Sequence, residues 1–351
     1  MTLNSTQRAL IAVAVMIGLA GAAVGVYFYR QHRPLAGASA GRPPDLLSQI
    51  PADAPVIGYL DFATLRGLRN SPLAAVLGLT SPGPQADREY AEFVRDTGFD
   101  YTRDLDSVAI GLWPGSLATP PGKHPSERII AIAIGLFDQM KIEAYALRTG
   151  KLLKTNPSVY EFPGQSPAQG IFLRFLSSDR IALASNPAIL DELTTSPVHA
   201  REPAMAARIE RVAGSPIFAV ARTDNLGPSF YESLKGSQQL ERLIRSVRSV
   251  TLAGKPTANG ITLALDGDCD SMSSAFQIAT LLDGFRFIGA AALADPRTRR
   301  QMTKEQAVFL DALLRQVKVN HQDHWVRITL DVTPAMLGGT PSASLDLPAT
   351  R

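Results

Sequence analysis

Three carboxylates alternate with Gly267 and Cys269 at Asp266, Asp268 and Asp270, and two imidazoles, His321 and His324, flank Asp323. These residue types at these spacings are the chain's best candidates for holding a divalent cation. Alternating acids open a calcium-binding loop, but an EF-hand loop begun at Asp266 needs glycine at its sixth position and a bidentate glutamate at its twelfth. Ser271 and Gln277 stand there instead, so the plainer reading is a strand end followed by a helix cap. Two histidines and a carboxylate suffice for a catalytic zinc, yet neighbours in one turn seldom converge on one ion, and no HExxH helix accompanies them. A solvated turn is the plainer reading of His321 and His324, and no metal or other cofactor is expected.

The remaining chemistry is sparse. Cys269 is the only cysteine, which rules out an intramolecular disulfide and a multi-cysteine metal site. The acids beside it disfavour its thiolate. No GxGxxG, P-loop or GxSxG pattern occurs in the body of the chain. The sequence therefore offers no catalytic residue, and the chain is read as non-enzymatic.

The elements that must position these residues follow from periodicity and caps. Val56–Phe62, Ser107–Leu112 and Ile129–Leu136 read as strands, the last two as an antiparallel hairpin across a long loop. Asp138 caps a helix that runs to about Arg148 and ends at Gly150. Short strands follow at Val159–Phe162, Gly170–Phe175 and Arg180–Ala184, then helices begun at Asn186-Pro187 and at Pro203, the second with Met205, Ile209 and Val212 turned inward.

From Pro216 the order begins again. PIFAVA matches PVIGYL, SVTLA matches SVAIG, and GITLALD matches the strand at Ile129; Asp270-Ser271 then caps a helix to about Leu282, as Asp138 does. A helix Lys304–Val317 and a hairpin with arms Val317–Asn320 and Trp325–Asp331 complete the series, so His321 and His324 lie at that hairpin's turn. The expectation is an α+β chain of two similar, mainly antiparallel sheets, each with helices packed on one face. Residues 55–213 form the first repeat and 214–340 the second, with a flexible tail at 341–351.

The chain's early part sets its location. Ala9 to Tyr29 carries no charge, and about 21 residues at 1.5 Å each span roughly the 30 Å hydrocarbon core of a bilayer. No other stretch reads as a candidate span. Tyr27, Phe28 and Tyr29 fit an interfacial aromatic belt. The run exceeds a signal-peptide core, and Arg30, His32, Arg33 and Pro34 separate it from Ala38-Ser39-Ala40, so a retained anchor is favoured over cleavage. Residues 1–8 then form a short tail, 9–29 a transmembrane helix and 30–54 a linker rich in Ala, Gly, Pro and Ser. Positive charges on the two sides nearly balance, and a large domain after a short tail is placed outside by default.

The formal charge of +3 and pI near 9.0 come from arginines scattered among acids, not from a basic block, and lend nucleic-acid binding no support. The densest basic stretch, Arg297, Arg299, Arg300 and Lys304, suits either solvent or anionic headgroups.

TGFDYTRDLDSVAIGL, Thr97 to Leu112, placed after an apolar anchor and the strand ADAPVIGYLDF, resembles a pattern in uncharacterised membrane-anchored envelope proteins of bacteria. The resemblance covers about a third of the chain. It implies an envelope location and a repeated α+β body, and carries over no site residue. The functional expectation is a non-catalytic protein of the bacterial inner membrane with a periplasmic body. Its partners would be the bilayer, through the anchor, and another envelope protein or lipid. A carrier of lipid or another apolar ligand and a metal-dependent hydrolase using the clusters above are the alternatives.

Overall fold

β1 (Val56–Asp61) is an apolar strand with a partner on each side, β2 (Leu105–Trp113) and β8 (Ile217–Arg222), both antiparallel to it. The computed structural model describes residues 46–66, 88–113, 128–153, 156–162, 170–195, 201–223, 238–257, 260–300, 304–333 and 336. The other strands are β3 (Arg128–Gly135), β4 (Lys151–Leu153), β5 (Asn156–Phe162), β6 (Ile171–Ser177), β7 (Arg180–Ala184), β9 (Val247–Thr257), β10 (Gly260–Cys269), β11 (Lys318–Gln322) and β12 (Trp325–Val332). They make one 12-stranded sheet in the order β11-β12-β10-β9-β8-β1-β2-β3-β7-β6-β5-β4, with all neighbouring strands antiparallel.

The expectation of two sheets is thus corrected to one. β1 and β8 each lead a run of strands, and left apart each would be an apolar edge with unpaired backbone groups. They pair with each other instead, from Val56 opposite Ala221 to Leu60 opposite Ile217, and Tyr59 stacks on Phe218 with ring centroids 5.3 Å apart. The segments matched in the sequence occupy β1 with β8 and β2 with β9, at like distances from this junction. We keep the duplication as a proposal, since a meander of this kind arises with or without one.

Helices on one face only is the second correction. Antiparallel partners share a face, so Tyr59, Phe218, Ala253, Ala264 and Thr329 form one row across five strands. On that face Ile57, Tyr59, Ile130, Ile132 and Ile134 pack beneath Ile189 and Leu190 of the helix Pro187–Thr195 and beneath Met205, Ile209 and Val212 of the helix Pro203–Val212. The opposite face carries Leu173 and Tyr160 under Ile142 and Ala146 of the helix Gln139–Thr149. Farther along, it meets the long helix Met272–Ala294. The central strands are apolar on both faces, as Ile132 and Ala133 show, and each face needs cover.

The segment Leu46–Ala54, read as the end of a linker, is packed into the core. Leu46, Leu47, Ile50 and Ala54 are buried, and Arg201 binds the carbonyls of Leu47 and Ile50. The anchor 9–29, residues 30–45 of the linker, the loop 114–127 between β2 and β3, and the tail 341–351 lie outside the described residues.

Candidate functional site at the Asp268 end of the sheet

Both clusters singled out in the sequence lie at one end of the sheet, because β10 pairs with β12 and puts Asp268 opposite Trp325. Asp266 and Asp268, two apart in a strand, share the face covered by the helix Pro203–Val212. That helix presents Arg208 and Arg211, one turn apart, to this end of the sheet. Arg208 Nη2 donates to Asp268 Oδ2 at 2.6 Å, with only 12% of the Arg208 side chain and 9% of the Asp268 side chain exposed. Arg211 lies over the Trp325 ring at 4.4 Å. Asp266 accepts a two-pronged bond from Arg327, directly opposite on β12, at 2.6 and 2.7 Å.

Asp270 lies beyond the strand and is exposed. Hydrogen bonding with Ser274, and less with Ser271, holds its carboxyl below the usual range against the cost of desolvation. Ser271 caps the long helix by accepting from the Ser274 N–H, so the expected strand end and cap are both present.

The two histidines part company at the turn. His321 lies on the long-helix side, edge-on to Phe276 with centroids 5.4 Å apart. His324 lies on the other, its Nε2 3.7 Å from Asp268 Oδ1, and its carbonyl accepts from the Cys269 N–H. A hairpin turn projects alternate side chains to opposite faces, which keeps these imidazoles from converging. Among the described residues no group of three or more His, Cys, Asp or Glu is placed to hold a metal ion. A cation at Asp268 would also have to displace the Arg208 guanidinium from a buried pair, which is costly. Cys269 is 1% exposed, and burial first, then Asp268 and Asp270, push its thiol up to about 11. It is a packed side chain beside Ala275, Ala279 and Val326, not a nucleophile.

The long helix, expected to end near Leu282, continues to Ala294. Its inner side is built from small and branched residues: Ala275 and Ala279 are buried with Ile278 and Leu282 against Val326 and Val319, and Leu293 is buried near its end. Its outer side exposes 65% of Met272, 57% of Phe276, 77% of Phe287 and 57% of Ile288. Over 23 residues its only ionisable groups are Asp283 and Arg286, which bind each other at 3.1 Å. Ser273, Gln277 and Thr280 are exposed beside these apolar groups, yet a helix this apolar is ordinarily buried on most sides, and this one is covered on one. The signal was legible as the run FRFIGAAALA, Phe285 to Ala294. Arg208 and Arg211 had no local signal, since their partners lie some sixty residues or more downstream.

No family model matches the sequence, and no curated protein does. Among solved structures the fold is similar to TP0453 in three crystal forms. Form III gives a TM-score of 0.44 at 10% identity, covering 85% of this chain and 96% of that one. Form IV gives 0.43 at 11% identity, covering 84% and 94%. Form I gives 0.41 at 10% identity, covering 86% and 96%. A likeness of that size assigns neither a family nor a role.

Proposed function

We propose that this chain is a non-catalytic protein of the bacterial envelope, held in the inner membrane by Ala9–Tyr29, whose extracytoplasmic body binds another envelope component. The observation that carries the binding reading is the contrast at the Asp268 end of the sheet. The residues suited to chemistry are engaged in structural pairs, Asp268 with Arg208 and Asp266 with Arg327, while the adjoining helix turns large apolar side chains to solvent. Apolar surface grouped on one element favours a recognition role.

Protease treatment of spheroplasts and of inverted membrane vesicles, with the mature N-terminus sequenced, tests the placement. Digestion of the body in spheroplasts, with the N-terminus intact, is the expected result. Digestion only in inverted vesicles, or an N-terminus beginning after Ala38 or Ala40, overturns the anchored extracytoplasmic reading. Substrate turnover by the purified full chain that is lost on Asp268→Asn without loss of fold overturns the non-catalytic one.

A further inference from the structure

Met272, Phe276 and Phe287 fall within about 60° of one another on the long helix at 3.6 residues per turn, and Ile288 widens the arc by about 100°. Phe276 and Phe287 stand on one side about 16 Å apart along the axis. The arc's one acid, Asp283, is neutralised by Arg286. Where the helix ends at Asp295, the chain turns basic: Arg297 and Arg300 are exposed, with Arg299 and Lys304 beside them in sequence. An apolar side that runs into a cationic end complements an anionic bilayer surface, where apolar groups enter the headgroup boundary and arginines meet lipid phosphates.

The helix is long enough to cross a bilayer, at about 35 Å, but it cannot do so in this fold. Ala275 and Ala279 pin it to β11 and β12, whose Lys318, Asn320 and Gln322 are exposed, and Gly289 lies against Leu314 of the helix Lys304–Gln316. Polar groups of that kind do not enter hydrocarbon. Lying flat is the geometry left. An anchor at 9–29 would keep the surface near, because residues 30–45 reach at most about 58 Å when extended.

We infer that the outer side of the long helix and the basic segment after it form a second membrane contact, docked flat on an anionic bilayer. The inference rests on the anchored reading above and names the body's partner as lipid. The test uses the full chain in vesicles of phosphatidylcholine, with or without about one third phosphatidylglycerol. Phe287→Cys carries an environment-sensitive fluorophore, Lys255→Cys on β9 is the exposed control, and Ile288→Cys repeats the reading at a second position. The native Cys269, 1% exposed, resists labelling.

The expected result is blue-shifted emission at 287 and 288, quenched by lipids brominated near the headgroup, several-fold more than at 255 and more strongly with phosphatidylglycerol. Arg297→Ala with Arg300→Ala should lower the ratio of docked to undocked chains about ten- to thirtyfold. If the chain floats with the vesicles but 287 and 288 behave like 255, the docking falls and the anchor stands. Energy transfer between labelled copies without lipid quenching assigns the face to a second copy and overturns the inference. A chain that does not float with vesicles overturns the anchor and the docking together.

Discussion

Two helices on the same face of the sheet follow similar routes to different ends. Gln139–Thr149 leaves β3 through an Asp138 cap, and Met272–Ala294 leaves β10 through a Ser271 cap. The first stops after 11 residues at Gly150, where an added Cβ would stand 2.3 Å from the Glu161 carbonyl of β5. Its buried Ile142 and Ala146 are spent on β5 and β6. The second is met by the returning β11 and β12 only along its N-terminal half, and runs 23 residues to Ala294. A helix's length here follows how far the returning strands underlie it, and the longer one exposes four large apolar side chains where the shorter exposes two, Met140 and Leu147.

The largest effect is expected where the two halves of the sheet are tied. Arg208→Met leaves the buried Asp268 carboxylate without its guanidinium partner, with the His324 imidazole 3.7 Å away, and should cost about 3–5 kcal/mol in urea unfolding of the detergent-solubilised chain. Arg208→Met with Asp268→Leu should recover most of that loss. A single-variant loss below about 1 kcal/mol would mean that water reaches the pair and the tie is loose.

Burial on the two sides comes next. Ile132→Ala, at a fully buried position, should cost about 2–5 kcal/mol, whereas Phe287→Ser, at a 77% exposed one, should stay within about 0.5 kcal/mol. A large loss from Phe287→Ser would break the contrast by showing that the outer side is already covered. The glycines sharpen it further. Gly150→Ala drives a Cβ into backbone and should cost about 1–3 kcal/mol. At Gly289 an added Cβ would stand 3.1 Å from the Leu314 side chain, which can shift, while alanine favours the helix by about 1 kcal/mol. The net change in the same unfolding assay should be under about 1 kcal/mol.

The smallest effect concerns the cap of the long helix. Asp270 has a folded-state pKa below its unfolded value, chiefly through Ser274. Its contribution is therefore present above about pH 4 and lost as pH falls through the depressed value. The melting temperature of Asp270→Asn should lie slightly below that of the parent near neutrality, and the two should converge as pH is lowered. A gap that persists below pH 2 would assign the effect to the cap's shape instead of its charge.

Legibility in the sequence followed the range of each interaction. β7, read as Arg180–Ala184, has those bounds, and Met205, Ile209 and Val212 are the buried side of their helix as read. The hairpin of β2 and β3 pairs as read, and the caps at Asp138 and Ser271 stand where residue type placed them. β4, three residues long, and the helical turn Tyr101–Asp104 were missed because neither is long enough to show a period. In the candidate site, the acids and histidines were found by type, but their separation onto two faces was not. That depends on the register Asp268 opposite Trp325.

Alternation, helical period and caps are properties of neighbours along the chain, and they sufficed to name most strands and helix starts here. The joining of β1 to β8 into one sheet, the covering of both faces, the engagement of Asp268 by Arg208 and the bare outer side of Met272–Ala294 belong to the fold. Each depends on residues far apart in sequence meeting, or failing to meet. Backbone pairing, burial and ion pairing act through space, and no local pattern records which distant partner will satisfy them.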